Sequence, residues 1–250
     1  NSNVYRKVLV MGKVTVITGG TRGIGASISK LLNQKGYKII ANYNSNDEAA
    51  NAFSNENKIE VMKWNVGDYN ACKDNIEKIK SSHGQIQILI NNAGITKDAP
   101  LHKMKKESWQ DVINVNLNSV FNMTSNVIND MRGNAFGRII HISSVNGQKG
   151  QFGQTNYAAT KSALVGFSKS LALESASKGI TSNVISPGYI NTEMVAAIRE
   201  DILNKIIDSI PTKRLGTPEE IAEMVSYLVS DKASYINGAN FSINGGLWMD

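Results

Sequence analysis

Tyr157 and Lys161 stand four residues apart in a stretch of helical periodicity, a spacing that sets both side chains on one face of a helix. A phenol beside an ammonium suits proton donation to an oxygen that gains negative charge, as when a carbonyl accepts a hydride. Tyrosine is a reluctant acid at its ordinary pKa of about 10, and a neighbouring cation lowers that value by favouring phenolate. The spacing alone is weak, because Tyr69 and Lys73 repeat it. What distinguishes the second pair is Ser143-Ser144 at the end of a β-branched run, followed by a long connection, Val145 to Asn156, rich in Gly and Gln. Ser144 can polarise the same oxygen. Asn116, within Val115-Asn116-Leu117, is the candidate polar group for relaying a proton from solvent to Tyr157.

A second chemistry-bearing segment is Thr18-Gly19-Gly20-Thr21-Arg22-Gly23-Ile24-Gly25, between the first apolar run and a helical stretch. Glycines permit a sharp turn and let a pyrophosphate approach the helix N-terminus, where free N–H groups favour anions. Its spacing departs from G-x-G-x-x-G, so the argument rests on position in the first βα unit. Gly19, Thr21, Arg22, Gly23, Ile24 and Gly25 are the expected contacts. After the second apolar run comes Ala41-Asn42-Tyr43-Asn44-Ser45, with no carboxylate before Asp47 to hold a free ribose. A ribose 2′-phosphate instead wants a cation and neutral donors, which Arg22 with Asn44 or Ser45 would supply. The expected cofactor is NADPH rather than NADH.

These residues need a scaffold that delivers them to one edge. Short β-branched runs alternate with longer helical stretches, the pattern of a doubly wound, mainly parallel α/β sheet with helices on both faces. Seven strands are predicted at Val14–Thr18, Lys38–Tyr43, Ile59–Trp64, Ile86–Asn91, Arg138–Ser143, Thr181–Ser186 and Phe241–Ile243. Helices are predicted near 24–35, 47–55, 69–82, 106–131, 156–178 and 218–230, the last opened by Thr217-Pro218-Glu219-Glu220. No linker or repeat interrupts the series, so residues 11–250 read as one Rossmann-type domain after an extension at 1–10. The segment near 189–210 follows Pro187-Gly188, is helical in pattern and has no strand partner, which makes it a candidate lid.

Composition excludes other classes. Of 250 residues, 41% are hydrophobic and 19% charged, enough to bury a core and unlike a disordered chain. One cysteine, Cys72, and three scattered histidines (His83, His102, His141) give no disulfide framework or metal pattern, so no metal is expected. The net charge of +6 is spread along the chain, and the Lys97, Lys103, Lys105, Lys106 cluster lacks an aromatic array, which favours a phosphate-bearing small molecule over nucleic acid. No apolar run reaches membrane-spanning length and no secretory core precedes Met11, so no membrane partner and a cytoplasmic protein are expected.

Taken together, TGGTRGIG, Asn91-Asn92-Ala93-Gly94, Asn116, Ser144, the Tyr157–Lys161 pair and Pro187-Gly188 resemble the short-chain dehydrogenase/reductase family over nearly the whole chain. The resemblance implies Asn116, Ser144, Tyr157 and Lys161 as a catalytic tetrad, with Tyr157 and Lys161 also meeting the cofactor. It implies Asn92, Ala93 and Gly94 in the cofactor cleft, Asn65 and Val66 beside the adenine, and Pro187, Gly188 and Ile190 as further cofactor contacts. It also implies a homotetramer, using the last strand and the helices near 106–131 and 156–178, which agrees with large apolar residues Leu247, Trp248 and Met249 at the chain end. Gln151, Phe152 and Gln154, bracketed by Ser144 and Tyr157, suit a short polar acyl thioester. Asp98, Lys103 and Tyr189 lie on loops of the same edge, while Arg199 and Lys205 on the lid are cations for the phosphates of an acyl-CoA.

Overall fold

Val16 and Ile17 are neighbours, both fully buried, and they belong to different hydrophobic cores. The same alternation divides Ile39 and Ala41 from Ile40, and Ile88 and Ile90 from Leu89. Successive strand residues point to opposite faces, so a sheet apolar on both faces requires a helical layer on each. The computed structural model describes residues 12–249. The extension read at 1–10 lies outside the described residues.

The strands are β1 (Val14–Ile17), β2 (Lys38–Tyr43), β3 (Glu60–Lys63), β4 (Ile88–Asn91), β5 (Gly137–Ile142), β6 (Ile180–Pro187) and β7 (Asn240–Ile243). All pairings are parallel, in the order β3-β2-β1-β4-β5-β6-β7. The helices are α1 (Gly23–Gln34), α2 (Asp47–Asn57), α3 (Tyr69–His83), α4 (Lys106–Ile113), α5 (Ser119–Gly133), α6 (Val145–Lys149), α7 (Thr155–Ser175), α8 (Glu193–Ala196), α9 (Glu200–Ser209) and α10 (Pro218–Leu228). Ile28 and Leu32 of α1, Phe53 of α2 and Ile221 and Val225 of α10 fill one core. Ile76 of α3, Met123 and Val127 of α5 and Leu171 of α7 fill the other. The chain reverses direction across the sheet between β1 and β4, where Thr15 pairs with Ile88 and Ile17 with Ile90. A crevice opens at the carboxyl ends of such strands.

Local sequence sets the helix starts. Asn46 caps α2 by accepting the Ala49 N–H at 3.0 Å, and Asp68 caps α3 by accepting that of Ala71 at 3.0 Å. At α10 the predicted start forms a full capping box between Thr217 and Glu220, with Pro218 in the first turn. Two expectations are corrected. The helix predicted across 106–131 is interrupted by a π-helical segment, Asn114–Asn118, because Asn116 turns its amide out of the helix to bind the chain at Ile95. The connection read as loop from Val145 to Asn156 holds α6, which Ser144 nucleates as its N-cap.

The middle of β5 is polar. His141 is fully buried, its Nδ1 accepting from Asn91 Nδ2 at 3.2 Å and its Nε2–H meeting Ser182 Oγ at 3.1 Å. Burial first, and Lys161 second, bring its pKa from 6.5 down to about 3. The native protein therefore refuses a proton that the unfolded chain accepts below 6.5. Stability should be complete above that value and fall as pH drops toward 3, by about 1.4 kcal/mol per pH unit from this residue. Urea unfolding of wild type and His141→Gln at pH 7 and pH 5 checks this: the variant should lose less stability between the two.

Candidate active site

The glycine turn is stitched across the point where the chain reverses. Thr18 Oγ1 accepts the N–H groups of Asn92 and Ala93, each at 3.0 Å. Asn92 Nδ2 returns to the carbonyl oxygens of Thr18 at 3.0 Å and Gly19 at 3.1 Å. From β2, Asn42 Oδ1 accepts the Gly19 N–H at 3.3 Å while its Nδ2 donates to the Trp64 carbonyl at 2.9 Å. Gly19 and Gly23 are left-handed, with φ of 61° and 51°. A Cβ on Gly25 would lie 2.1 Å from the Gly19 carbonyl oxygen, so only glycine permits this approach. Arg22 occupies the N-cap of α1 and gives no side-chain bond there. The first-turn amides are left as donors at the positive end of the helix, a cradle for phosphate.

Further along the same edge, Ser144 and Tyr157 face each other across the α6 connection, and Lys161 lies one turn along α7. Ser144 Oγ accepts the Asn146 N–H at 3.1 Å. Burial raises the Tyr157 pKa; Asp98 adds to the rise, and a hydrogen bond from Ser144 opposes it. Tyr157 is thus a neutral phenol with a proton to give. Lys161 Nζ sits 5.7 Å from the Tyr157 ring centre and donates to the Ile142 carbonyl at 2.7 Å. Burial lowers its pKa to about 8. Ser143 Oγ donates to the Lys161 carbonyl at 2.8 Å, which fastens α7 to β5. The expected lowering of Tyr157 by Lys161 is not met by these residues alone, because burial dominates and the ammonium is turned to Ile142.

Asn116 is buried and fully engaged. Its Oδ1 accepts the Ile95 N–H at 2.8 Å, and its Nδ2 donates to the Ile95 carbonyl at 3.0 Å and Thr160 Oγ1 at 3.3 Å. A Cβ on Gly94 would lie 3.4 Å from Lys161 Nζ and 3.5 Å from Asn116 Oδ1, so the bare glycine keeps this corner open. A proton relay through Asn116 requires one of its bonds to yield; the geometry itself has it hold the Ile95 loop beside Lys161.

A family model described as enoyl-(acyl carrier protein) reductase, one of those for short-chain dehydrogenases/reductases, matches residues 19–248. The chain belongs to the short-chain dehydrogenase/reductase family. Acetoacetyl-CoA reductase of Shinella zoogloeoides is 54% identical over 94% of this chain and 98% of its own length. Acetoacetyl-CoA reductase of Rhizobium meliloti (strain 1021) is 54% identical over 96% of this chain and 100% of its own. The 3-oxoacyl-[acyl-carrier-protein] reductase of Escherichia coli (strain K12) is 44% identical over 95% and 98%.

As a short-chain dehydrogenase/reductase the chain takes a nicotinamide cofactor, and the uncapped α1 start with its glycine-only approaches fits the pyrophosphate of such a group. Of the other expected contacts, Asn44 is exposed just past β2; Asn65 Oδ1 accepts the Gly67 N–H at 2.9 Å, and the Val66 carbonyl accepts Asn122 Nδ2 at 3.0 Å. Pro187 closes β6, and Gly188 lies so close to Asn244 that a Cβ would be 2.8 Å from its Cα. Ile190 is buried and bridged to Gly216, pinning together the two ends of the lid segment that carries α8 and α9.

The expected substrate residues divide. Asp98 accepts from Gln154 Nε2 at 2.8 Å, and burial raises the pKa of both Tyr157 and Tyr189, with Asp98 adding to each. Phe152 is 85% exposed, and Gln151 is exposed with its Oε1 taking Lys149 Nζ at 3.1 Å. Lys103 stands exposed in the turn Leu101–Lys103. Arg199 is exposed and forked onto Asp201, with Nη2 to Oδ2 at 2.8 Å. Residue spacing missed Thr18, Asn42 and Asn146, whose roles come from contacts distant in sequence. It also missed Thr192, whose Cγ2 would lie 3.5 Å from a Cβ on Gly23 and which brings the lid to the glycine turn. The one local signal was Asn146, two residues past a serine that caps a helix.

Proposed function

We propose that the protein reduces the 3-keto group of acetoacetyl-CoA to (R)-3-hydroxybutyryl-CoA with NADPH. The observation that carries this reading is the convergence of Ser144, Tyr157 and Lys161 on a cleft lined by the polar groups of Asp98, Gln154 and Tyr189, in a chain 54% identical to acetoacetyl-CoA reductases. Bound along the glycine turn, NADPH supplies the hydride. Ser144 donates a hydrogen bond to the keto oxygen, and Tyr157 gives its proton as negative charge develops there. Lys161, beside Gly94 and Asn116, supports the phenolate left on Tyr157 and holds the cofactor ribose. The amide-lined cleft suits a short acyl group, whereas a long chain calls for an apolar channel.

Initial rates of NADPH oxidation with acetoacetyl-CoA, with acetoacetyl-acyl-carrier-protein and with longer 3-oxoacyl-CoA test the reading. Preference for the carrier-protein substrate would move the enzyme to fatty-acid synthesis, the activity named for the Escherichia coli relative. No turnover of any of them would call first for other carbonyl substrates and only then for a catalytically silent NADPH-binding scaffold.

Support for NADPH lies at the end of β2. Asp47, the first carboxylate there, is held by Lys63 at 2.8 Å and Tyr43 at 3.0 Å, while Arg22 is exposed and forms no ion pair among the described residues. Arg22→Ala should raise the KM for NADPH about tenfold or more and leave that for NADH within about twofold. Equal changes for both would remove the assignment. A homotetramer is part of the proposal, supported by Phe121, 57% exposed and stacked on Tyr69 at 6.2 Å, and by exposed Met249. Its mass in solution tests it. Among the described residues no helix is long and apolar enough to cross a membrane, and we place the activity in the cytoplasm as part of the same proposal.

A further inference from the structure

The polar side of the substrate cleft is a chain whose direction is set by chemistry. An ionised carboxylate only accepts, so Asp98 obliges Gln154 to present its Nε2, at 2.8 Å. Gln154 Oε1 is then the acceptor left for Asn146 Nδ2, at 3.0 Å. Asn146 is buried, and its main-chain N–H is spent on Ser144 Oγ at 3.1 Å. Burial raises the pKa of the Tyr189 phenol, and Asn146 opposes that rise. The Asn146 Oδ1 atom, buried as well, has no partner among the described residues. One residue thus bonds both Ser144 and Gln154.

We propose that Asn146 is a positioning residue that fixes the donor sense of this cleft. With its Nδ2 on Gln154 Oε1 and its main-chain N–H on Ser144 Oγ, it holds the Gln154 amide in one sense and joins it to the serine that polarises the keto oxygen. Loss of its side-chain donor frees Gln154 on the substrate side and leaves the glycine turn untouched. The inference rests on the reduction proposed above and adds a residue that the spacing of the sequence did not select.

The test uses the full chain with Asn146→Asp and Asn146→Leu, both near-isosteric and both without the side-chain donor. Each should raise the KM for acetoacetyl-CoA about tenfold or more, while the KM for NADPH stays within about twofold. Adding Gln154→Ala to Asn146→Leu should cost little beyond the larger single effect, because the two act as one chain. An unchanged KM for acetoacetyl-CoA, a parallel rise for both substrates, or fully additive effects would overturn the assignment. Should wild type reduce no 3-oxoacyl thioester, the proposed function fails separately, and the side-chain amide resonances of Gln154 decide the inference without substrate. Those resonances, identified by their loss in Gln154→Ala, should move in Asn146→Leu; unchanged positions would overturn it.

Discussion

Tyr157→Phe should lower kcat for thioester reduction about a thousandfold, within the range expected for loss of a positioned general acid. The substitution removes one oxygen and leaves the ring against its neighbours, so the affinity for NADPH, followed by its fluorescence, should change by less than about twofold. The size of the effect follows from the state of the phenol. Burial raises its pKa, with Asp98 adding and Ser144 opposing, so the proton is present at neutral pH and available to the developing alkoxide. Phenylalanine offers none, and the remaining Ser144 hydroxyl polarises the oxygen without completing the transfer. A loss smaller than about tenfold would mean that Tyr157 is not the acid.

Lys161→Met should abolish turnover and make the protein more stable. The ammonium is 4% exposed, donates one bond to the Ile142 carbonyl and has no carboxylate partner among the described residues. Its pKa falls from 10.5 to about 8 because burial penalises the charge. Below pH 8 both the folded and the unfolded chains carry that charge, so the penalty is complete; it is relieved as pH rises from 8 toward 10.5, where the folded protein releases the proton first. At pH 7 the full shift corresponds to an upper bound of about 3 kcal/mol, reduced by the lost bond to Ile142. Methionine fills a similar volume without the charge. A net gain of about 1–2 kcal/mol at pH 7 is expected, shrinking above pH 8, with kcat down about a hundredfold or more. Denaturant titrations at pH 7 and pH 9 with matched kinetics check it; a less stable variant at pH 7 would show that the Ile142 bond outweighs the burial cost.

Both predictions concern a pair that residue spacing picked out, and much else was legible in the same way. All seven predicted strands overlap observed ones; the inner runs are buried on both faces, and the edge strands β3 and β7 are partly exposed. The start of α10 was legible because a capping box is a local interaction within four residues. The glycine turn was legible because left-handed φ favours glycine at Gly19 and Gly23 and close approach requires it at Gly25.

What the sequence by itself determined are properties that depend on neighbours in the chain: the alternation that makes a parallel sheet, the turn that begins α1, and the common face of Tyr157 and Lys161. What only the tertiary structure decided depends on groups brought together from distant positions. The π-helical break at Asn114–Asn118 exists because Asn116 reaches the Ile95 main chain, twenty-one residues away. Arg199 reads as a free cation in the sequence and is paired with Asp201 in the fold, since the turn into α9 brings them side by side. The Tyr157 pKa is raised by burial first, with Asp98 adding and Ser144 opposing, a balance that depends on its buried surroundings. Asn146 stands out only when Gln154, itself held by Asp98 from a distant connection, folds back onto it beside Ser144. Desolvation and side-chain hydrogen bonding are set by the full three-dimensional surroundings of an atom, which no local pattern in the chain encodes.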